Sequence, residues 1–93
     1  MRCSYEGILE WLKENEGYTV FVSTEYKGIT IAQWQKFKKY KFGCNKVEGI
    51  ISSPTNELTI SPFEIEKIRF DERSKGYVIT YKGGVSIRMN IVA

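Results

Sequence analysis

The stretch WQKFKKYKFG, from Trp34 to Gly43, holds four aromatic rings and four lysines in ten residues, with no acidic side chain. Its local signals predict a helix over residues 31–42. Thr30 and Gln33 match a capping box, with Thr30 as the N-cap. The lysines crowd the last turns, where cations complement the helix dipole, and Gly43 follows as a stop signal.

A helical period divides the side chains of this stretch into two faces. Trp34, Phe37 and Phe42 share one stripe and are expected in the core. The opposite face presents polar, cationic and aromatic groups to solvent. Lys41 falls within the apolar stripe, where its stem can cover apolar surface while its ammonium group reaches water, and Lys46 follows the helix. The candidate binding residues are therefore Gln33, Lys36, Lys39, Tyr40, Lys41 and Lys46.

A first helix is predicted over residues 5–15, with Ser4 as its N-cap. Glu6, Glu10 and Glu14 recur every fourth residue on the side away from its apolar stripe. We call these three residues the acidic ridge. The ridge is expected to be either a solvated face or a second docking surface for a basic partner.

The rest of the chain is dominated by strand patterns. Runs rich in β-branched and aromatic residues predict strands, with Lys82-Gly83-Gly84 as the clearest hairpin turn. Residues 61–67 fit either a short capped helix or a strand, because Ser61-Pro62 resembles a helix start while Phe63 and Ile65 alternate with acids. The predicted strands cover residues 18–23, 47–53, 57–61, 67–72, 76–82 and 85–92.

These elements predict one small α+β domain spanning residues 1–93. Its two helices, about 5–15 and 31–42, would pack on one face of an antiparallel sheet of about five strands. A strongly curved or barrel-like sheet capped by helices is the alternative. A chain of 93 residues has no room for a second core.

Composition excludes most catalytic chemistry. The chain contains no histidine, which removes the commonest general base and the commonest zinc ligand. Its two cysteines, Cys3 and Cys44, form no metal-binding motif and are expected to be reduced thiols of a cytoplasmic protein. No enzyme activity, catalytic residue, metal or cofactor is therefore expected. No apolar run approaches the ~20 residues of a membrane span, so no membrane partner is expected either.

The positive charge is concentrated in one segment. Residues 29–46 carry five lysines and no acid, whereas residues 1–28 have a net charge of −2 and residues 47–93 are neutral. The protein's whole excess of +3 therefore depends on the segment around WQKFKKYKFG. Such a segment is typical either of a solvated basic face or of a surface for an anionic partner.

Two functions compete on this basis. The first is a small non-enzymatic protein-binding module that inhibits or assists a partner by surface contact, with a homodimer as one form of that contact. In its size and lack of a catalytic motif, the chain resembles the small inhibitor and accessory proteins of phages and mobile elements. The alternative is nucleic-acid binding by the basic helix 31–42, dominated by phosphate contacts with weak sequence preference.

Overall fold

The computed structural model describes residues 3–92, except for the side chains of residues 31–34. One helix precedes eight strands, which form a five-stranded antiparallel sheet in the order β2-β1-β8-β7-β6 and a three-stranded antiparallel sheet in the order β3-β4-β5. The elements are α1 (Tyr5–Glu14), β1 (Thr19–Tyr26), β2 (Ile29–Phe37), β3 (Lys41–Asn45), β4 (Glu48–Ser52), β5 (Glu57–Ile60), β6 (Ile65–Asp71), β7 (Gly76–Tyr81) and β8 (Val85–Val92).

The predicted helix over residues 31–42 is wrong. That segment forms most of β2, a turn at Lys38-Lys39 and the start of β3. The fold is therefore one helix with two sheets, and the prediction of two helices on a single five-stranded sheet is wrong with it. The inward assignment of Trp34 concerns a side chain outside the described residues.

The hairpin between β1 and β2 outweighs the local sequence signals for a helix over residues 31–42. Tyr26 and Ile29 pair across a two-residue loop, Lys27-Gly28. Both loop residues have positive φ, 50° and 82°, which is the geometry of the turn that matches the twist of paired strands. Pairing with β1 then supplies cross-strand hydrogen bonds along one side of β2, the edge strand of the large sheet, in place of the intrahelical bonds of the predicted helix.

The core lies where the helix meets both sheets. Ile8 and Leu12 of α1 are fully buried in one cluster with residues from each sheet. Val22 and Met89, which are register partners in β1 and β8, come from the large sheet, and Ile51 comes from the small sheet. A single amphipathic helix therefore closes a core that was expected to need two.

Other predictions are confirmed. Helix α1 begins after Ser4, whose Oγ accepts a hydrogen bond of 3.0 Å from the Gly7 N–H. Strands β6, β7 and β8 form the expected antiparallel meander, with residues 82–84 as the last turn. The ambiguous segment 61–67 contains no helix, because Phe63 and Glu64 form a turn and β6 starts at Ile65. Within residues 3–92, no helix has the length and apolar character to cross a membrane.

Candidate functional site

Tyr40, the ring expected to point outward, lies in the core. Its side chain is fully buried and is the largest such side chain among the described residues. Its hydroxyl donates a 2.5 Å hydrogen bond to the Leu12 carbonyl in the last turn of α1. The last four carbonyls of a helix have no intrahelical partner, and the Leu12 carbonyl is one of them. The Tyr40 hydroxyl therefore caps the C-terminal end of α1. Tyr40 is therefore a structural residue, and its assignment as a binding residue is wrong.

The backbone of Tyr40 is held as firmly as its ring. Its N–H donates to the Tyr18 carbonyl, and its own carbonyl accepts from the Gly17 N–H, both at 3.0 Å. Burial, with a further contribution from the Glu16 carboxylate, raises the pKa of the Tyr40 hydroxyl well above its ordinary value. The connection between β2 and β3 is therefore pinned to the loop that follows α1.

Two exposed lysines lie in the turn between the buried rings of Phe37 and Tyr40. Phe37 is buried on one side of the turn and Tyr40 on the other, which leaves Lys38 and Lys39 exposed between them. Lys39 occupies the left-handed region at φ 50°. The lysines were thus correctly expected at the surface, although a strand, a turn and a strand present them.

Lys38 and Lys39 stand between two surface clefts, which we call the lysine clefts. The first, of about 470 Å³, continues past Lys41 to residues 52–54 of the small sheet. The second, of about 290 Å³, runs past Lys36 to three apolar groups: Tyr18, Phe21 and Val92. None of the described residues that line either cleft is acidic.

The structure divides the predicted binding residues. Lys36, Lys39 and Lys41 come together at the lysine clefts, joined by Lys38. Lys46 lies in the β3–β4 turn and lines a different cleft. The side chain of Gln33 is outside the described residues.

A third cleft, which the sequence did not indicate, has an apolar lining. We call it the apolar cleft; its volume is about 340 Å³. Val47 and Phe63 line it and remain 55% and 64% exposed. Exposed apolar side chains that line the same groove are typical of a contact surface. The remaining lining residues are Tyr5, Glu6, Leu9, Cys44, Lys46 and Pro62.

Tyr5 holds the walls of the apolar cleft together. Its hydroxyl lies 2.8 Å from the Val47 carbonyl and 2.6 Å from the Ile60 carbonyl, and accepts a hydrogen bond from the Gly49 N–H. The hydroxyl has a single proton, so it donates either to one of the two carbonyls at a time or to both in a bifurcated hydrogen bond. The cleft is thereby preformed, because helix α1 is tied to both β4 and β5.

The acidic ridge is exposed along its whole length on α1, as expected for either interpretation of it. Its first member, Glu6, also lines the apolar cleft. The ridge and the apolar cleft are thus continuous. A partner seated in the cleft would meet carboxylates along one side.

No group of three or more Cys, Asp or Glu side chains in residues 3–92 is placed to hold a metal ion. No protein-family model, curated protein or solved structure matches the chain. The clefts and the acidic ridge are therefore the candidate sites.

Three buried or half-buried tyrosine hydroxyls make the stability of the fold depend on pH in the alkaline range. Burial raises the pKa of Tyr81, whose hydroxyl donates to the Ser61 carbonyl at 2.8 Å, to about 12. Burial likewise raises the pKa of Tyr5 and of Tyr40. In the unfolded chain these groups lose their protons near pH 10. Above that pH the unfolded state binds fewer protons than the folded state, so the stability falls as pH rises.

We therefore expect the free energy of unfolding to decline from about pH 10 towards pH 12. Each tyrosine adds at most about 1.4 kcal/mol per pH unit to the decline. Urea unfolding at pH 8, 10 and 11 measures it, and a Tyr81→Phe variant should show a shallower decline. Equal slopes for the parent and the variant would show that the Tyr81 hydroxyl is not linked to folding.

Proposed function

We propose that this protein is a non-enzymatic binding module that inhibits or assists a partner protein by surface contact. The observation that carries the proposal is the apolar cleft, where Val47 and Phe63 stay largely exposed beside a preformed groove. Leaving two such side chains in water forgoes the free energy of burying their exposed part, roughly 1–2 kcal/mol each. A partner that covers them recovers it.

The charges around the apolar cleft define the chemistry of the partner. Glu6 and Lys46 line the cleft with opposite charges, and Glu10 and Glu14 extend the acidic ridge from Glu6 along α1. A complementary surface would place an apolar or aromatic side chain in the cleft and basic side chains along the ridge. The apolar anchor would supply most of the affinity, and the charges would select the partner and its orientation.

A matched pair of variants tests this proposal. Val47→Ser combined with Phe63→Ser removes the two apolar side chains and keeps every backbone hydrogen bond at the cleft. Ile29→Ser is the control, because Ile29 is 69% exposed but lies in the β1–β2 hairpin. Exposed substitutions usually change stability by within about 0.5 kcal/mol, so both variants should fold.

The experiment is recovery of partners from a nuclease-treated lysate of the native host, followed by titration with the purified partner. We expect the cleft variant to bind at least about 30-fold more weakly than the parent, the loss typical of a central anchor, and Ile29→Ser to bind normally. Equal affinity of the cleft variant and the parent would contradict the proposal. A parent homodimer that the cleft variant dissociates would identify the partner as a second copy.

We place this activity in the cytoplasm. Cys3 and Cys44 are both free and exposed. Exposed thiols persist in a reducing compartment and tend to oxidise elsewhere. This supports a partner from the same compartment.

A further inference from the structure

The lysine clefts form a surface separate from the apolar cleft. Lys38 and Lys39 line both lysine clefts, so the two grooves meet at the turn between β2 and β3. Lys36 and Lys41 extend the cationic lining outward on either side of that turn. The result is a pair of adjoining clefts lined by four lysines and, among the described residues of their linings, by no carboxylate.

Within the lining of the two clefts, four lysines face no carboxylate among the described residues. The nearby Glu16 carboxylate accepts a 2.8 Å hydrogen bond from the Phe42 N–H but does not line either cleft. Four like charges repel one another, and an anionic ligand that bridges them would remove that repulsion. Lysine ammonium groups contact phosphates as point charges, without the fixed geometry that reads bases.

The second lysine cleft adds an apolar surface next to the charges. Tyr18 is 48% exposed and Val92 is 51% exposed, and the half-buried ring of Phe21 lies with them. Phosphate contacts alone would not require such a surface. A cationic groove beside an exposed aromatic ring is the combination that binds single-stranded nucleic acid, because unpaired bases stack on the ring.

We propose that the lysine clefts bind single-stranded nucleic acid, with phosphates along Lys36, Lys38, Lys39 and Lys41 and a base against Tyr18. Duplex fits less well, because its bases are stacked inside the helix and cannot cover the apolar groups. An acidic peptide would match the charge but supplies no planar base for Tyr18. Sequence preference is weak, because no arginine lines either lysine cleft in the described part of the chain.

The first test varies salt and charge together. Binding of a fluorescent 12-nucleotide oligothymidylate is measured by anisotropy between 50 and 200 mM NaCl. Four phosphate contacts give a log–log slope of about −2.8, or about a 50-fold loss of affinity over this range. Lys38→Gln combined with Lys39→Gln should reduce the slope to about −1.4 and the loss to about sevenfold.

A matched control separates the site from the overall charge. Lys67→Gln combined with Lys82→Gln removes the same charge from the far end of the large sheet. Lys67 lies in β6, the edge strand furthest from β2, and Lys82 lies in the β7–β8 turn, where its N–H donates to the carbonyl of Glu64 just before β6. This variant should keep the slope of the parent. Equal slopes for the two double variants, or no binding of the oligonucleotide by the parent at 50 mM NaCl, would overturn the proposal.

The second test addresses the aromatic contact and the class of ligand. Tyr18→Ala should weaken oligothymidylate binding about fivefold or more, whereas Tyr26→Ala, at the other end of β1 and 41% exposed, should not. Duplex of equal length and a 12-residue polyglutamate peptide should compete poorly. Competition by polyglutamate as strong as that by unlabelled oligothymidylate would overturn the assignment to nucleic acid. Melting curves of every variant confirm that the fold is retained.

Discussion

Replacement of Tyr40 by alanine is expected to lower the free energy of unfolding by about 3–5 kcal/mol. The ring is fully buried in the core cluster, and its removal leaves a cavity beneath the end of α1. It also leaves the Leu12 carbonyl without its hydrogen-bond donor. A domain of 93 residues has a small reserve of stability, so this variant should be largely unfolded in modest urea.

A Tyr40→Phe variant separates the hydroxyl from the ring. It keeps the packing and removes only the donor to the Leu12 carbonyl, which should cost about 1–3 kcal/mol. Urea unfolding of the parent and both variants measures the two contributions. A Tyr40→Ala variant as stable as the parent would show that the ring is at the surface.

Replacement of Gly76 by alanine is expected to be similarly severe, at about 3 kcal/mol or more. Gly76 begins β7 and pairs with Asn90 on one side and with Asp71 on the other. A Cβ at this position would clash with the carbonyl oxygen of Met89, which is backbone and cannot rotate away. The strands would have to separate, and pairs near the centre of the large sheet would be lost.

Gly43→Ala is the matched control for that prediction. Gly43 is also a strand glycine, but no described atom outside its chain neighbours lies within 4 Å of a Cβ built there. Its replacement should leave the stability unchanged or slightly raised, because alanine restricts the unfolded chain more than glycine does. If Gly76→Ala and Gly43→Ala unfold at the same urea concentration, the close approach of β7 and β8 is wrong.

Local and long-range signals agree at α1 and at the final hairpin. The Ser4 cap and the apolar stripe predicted α1, and the glycines at positions 83 and 84 predicted the hairpin. Residues 31–42 were mispredicted, because a capping box, terminal lysines and a stop glycine all favoured a helix there. The contrary signal was Lys27-Gly28, whose two residues of positive φ form the turn of the β1–β2 hairpin. Pairing with β1 depends on residues outside any helical window, so local propensity could not weigh it.

The exposure of the lysines could be predicted from the sequence, whereas the burial of Tyr40 and the apolar cleft could not. The lysines were correctly placed in solvent, because a charged side chain is exposed on a helix or a strand alike. The direction of Tyr40 depended on the period assumed, and the wrong period turned a core residue into a surface residue. The apolar cleft could not be found from sequence spacing, since Leu9, Val47 and Phe63 meet only through the packing of α1 against the small sheet and the turn after it.

The central claim is that WQKFKKYKFG is a strand, a turn and a strand that buries Tyr40 and exposes its lysines. Nuclear Overhauser contacts along and across this segment test it most directly. The structure predicts cross-strand contacts between Val20 and Phe37 and between Phe21 and Lys36, and contacts from the Tyr40 ring to Leu12. Contacts between each α-proton and the amide three residues later, running through residues 31–42, would mean a helix and would contradict the account.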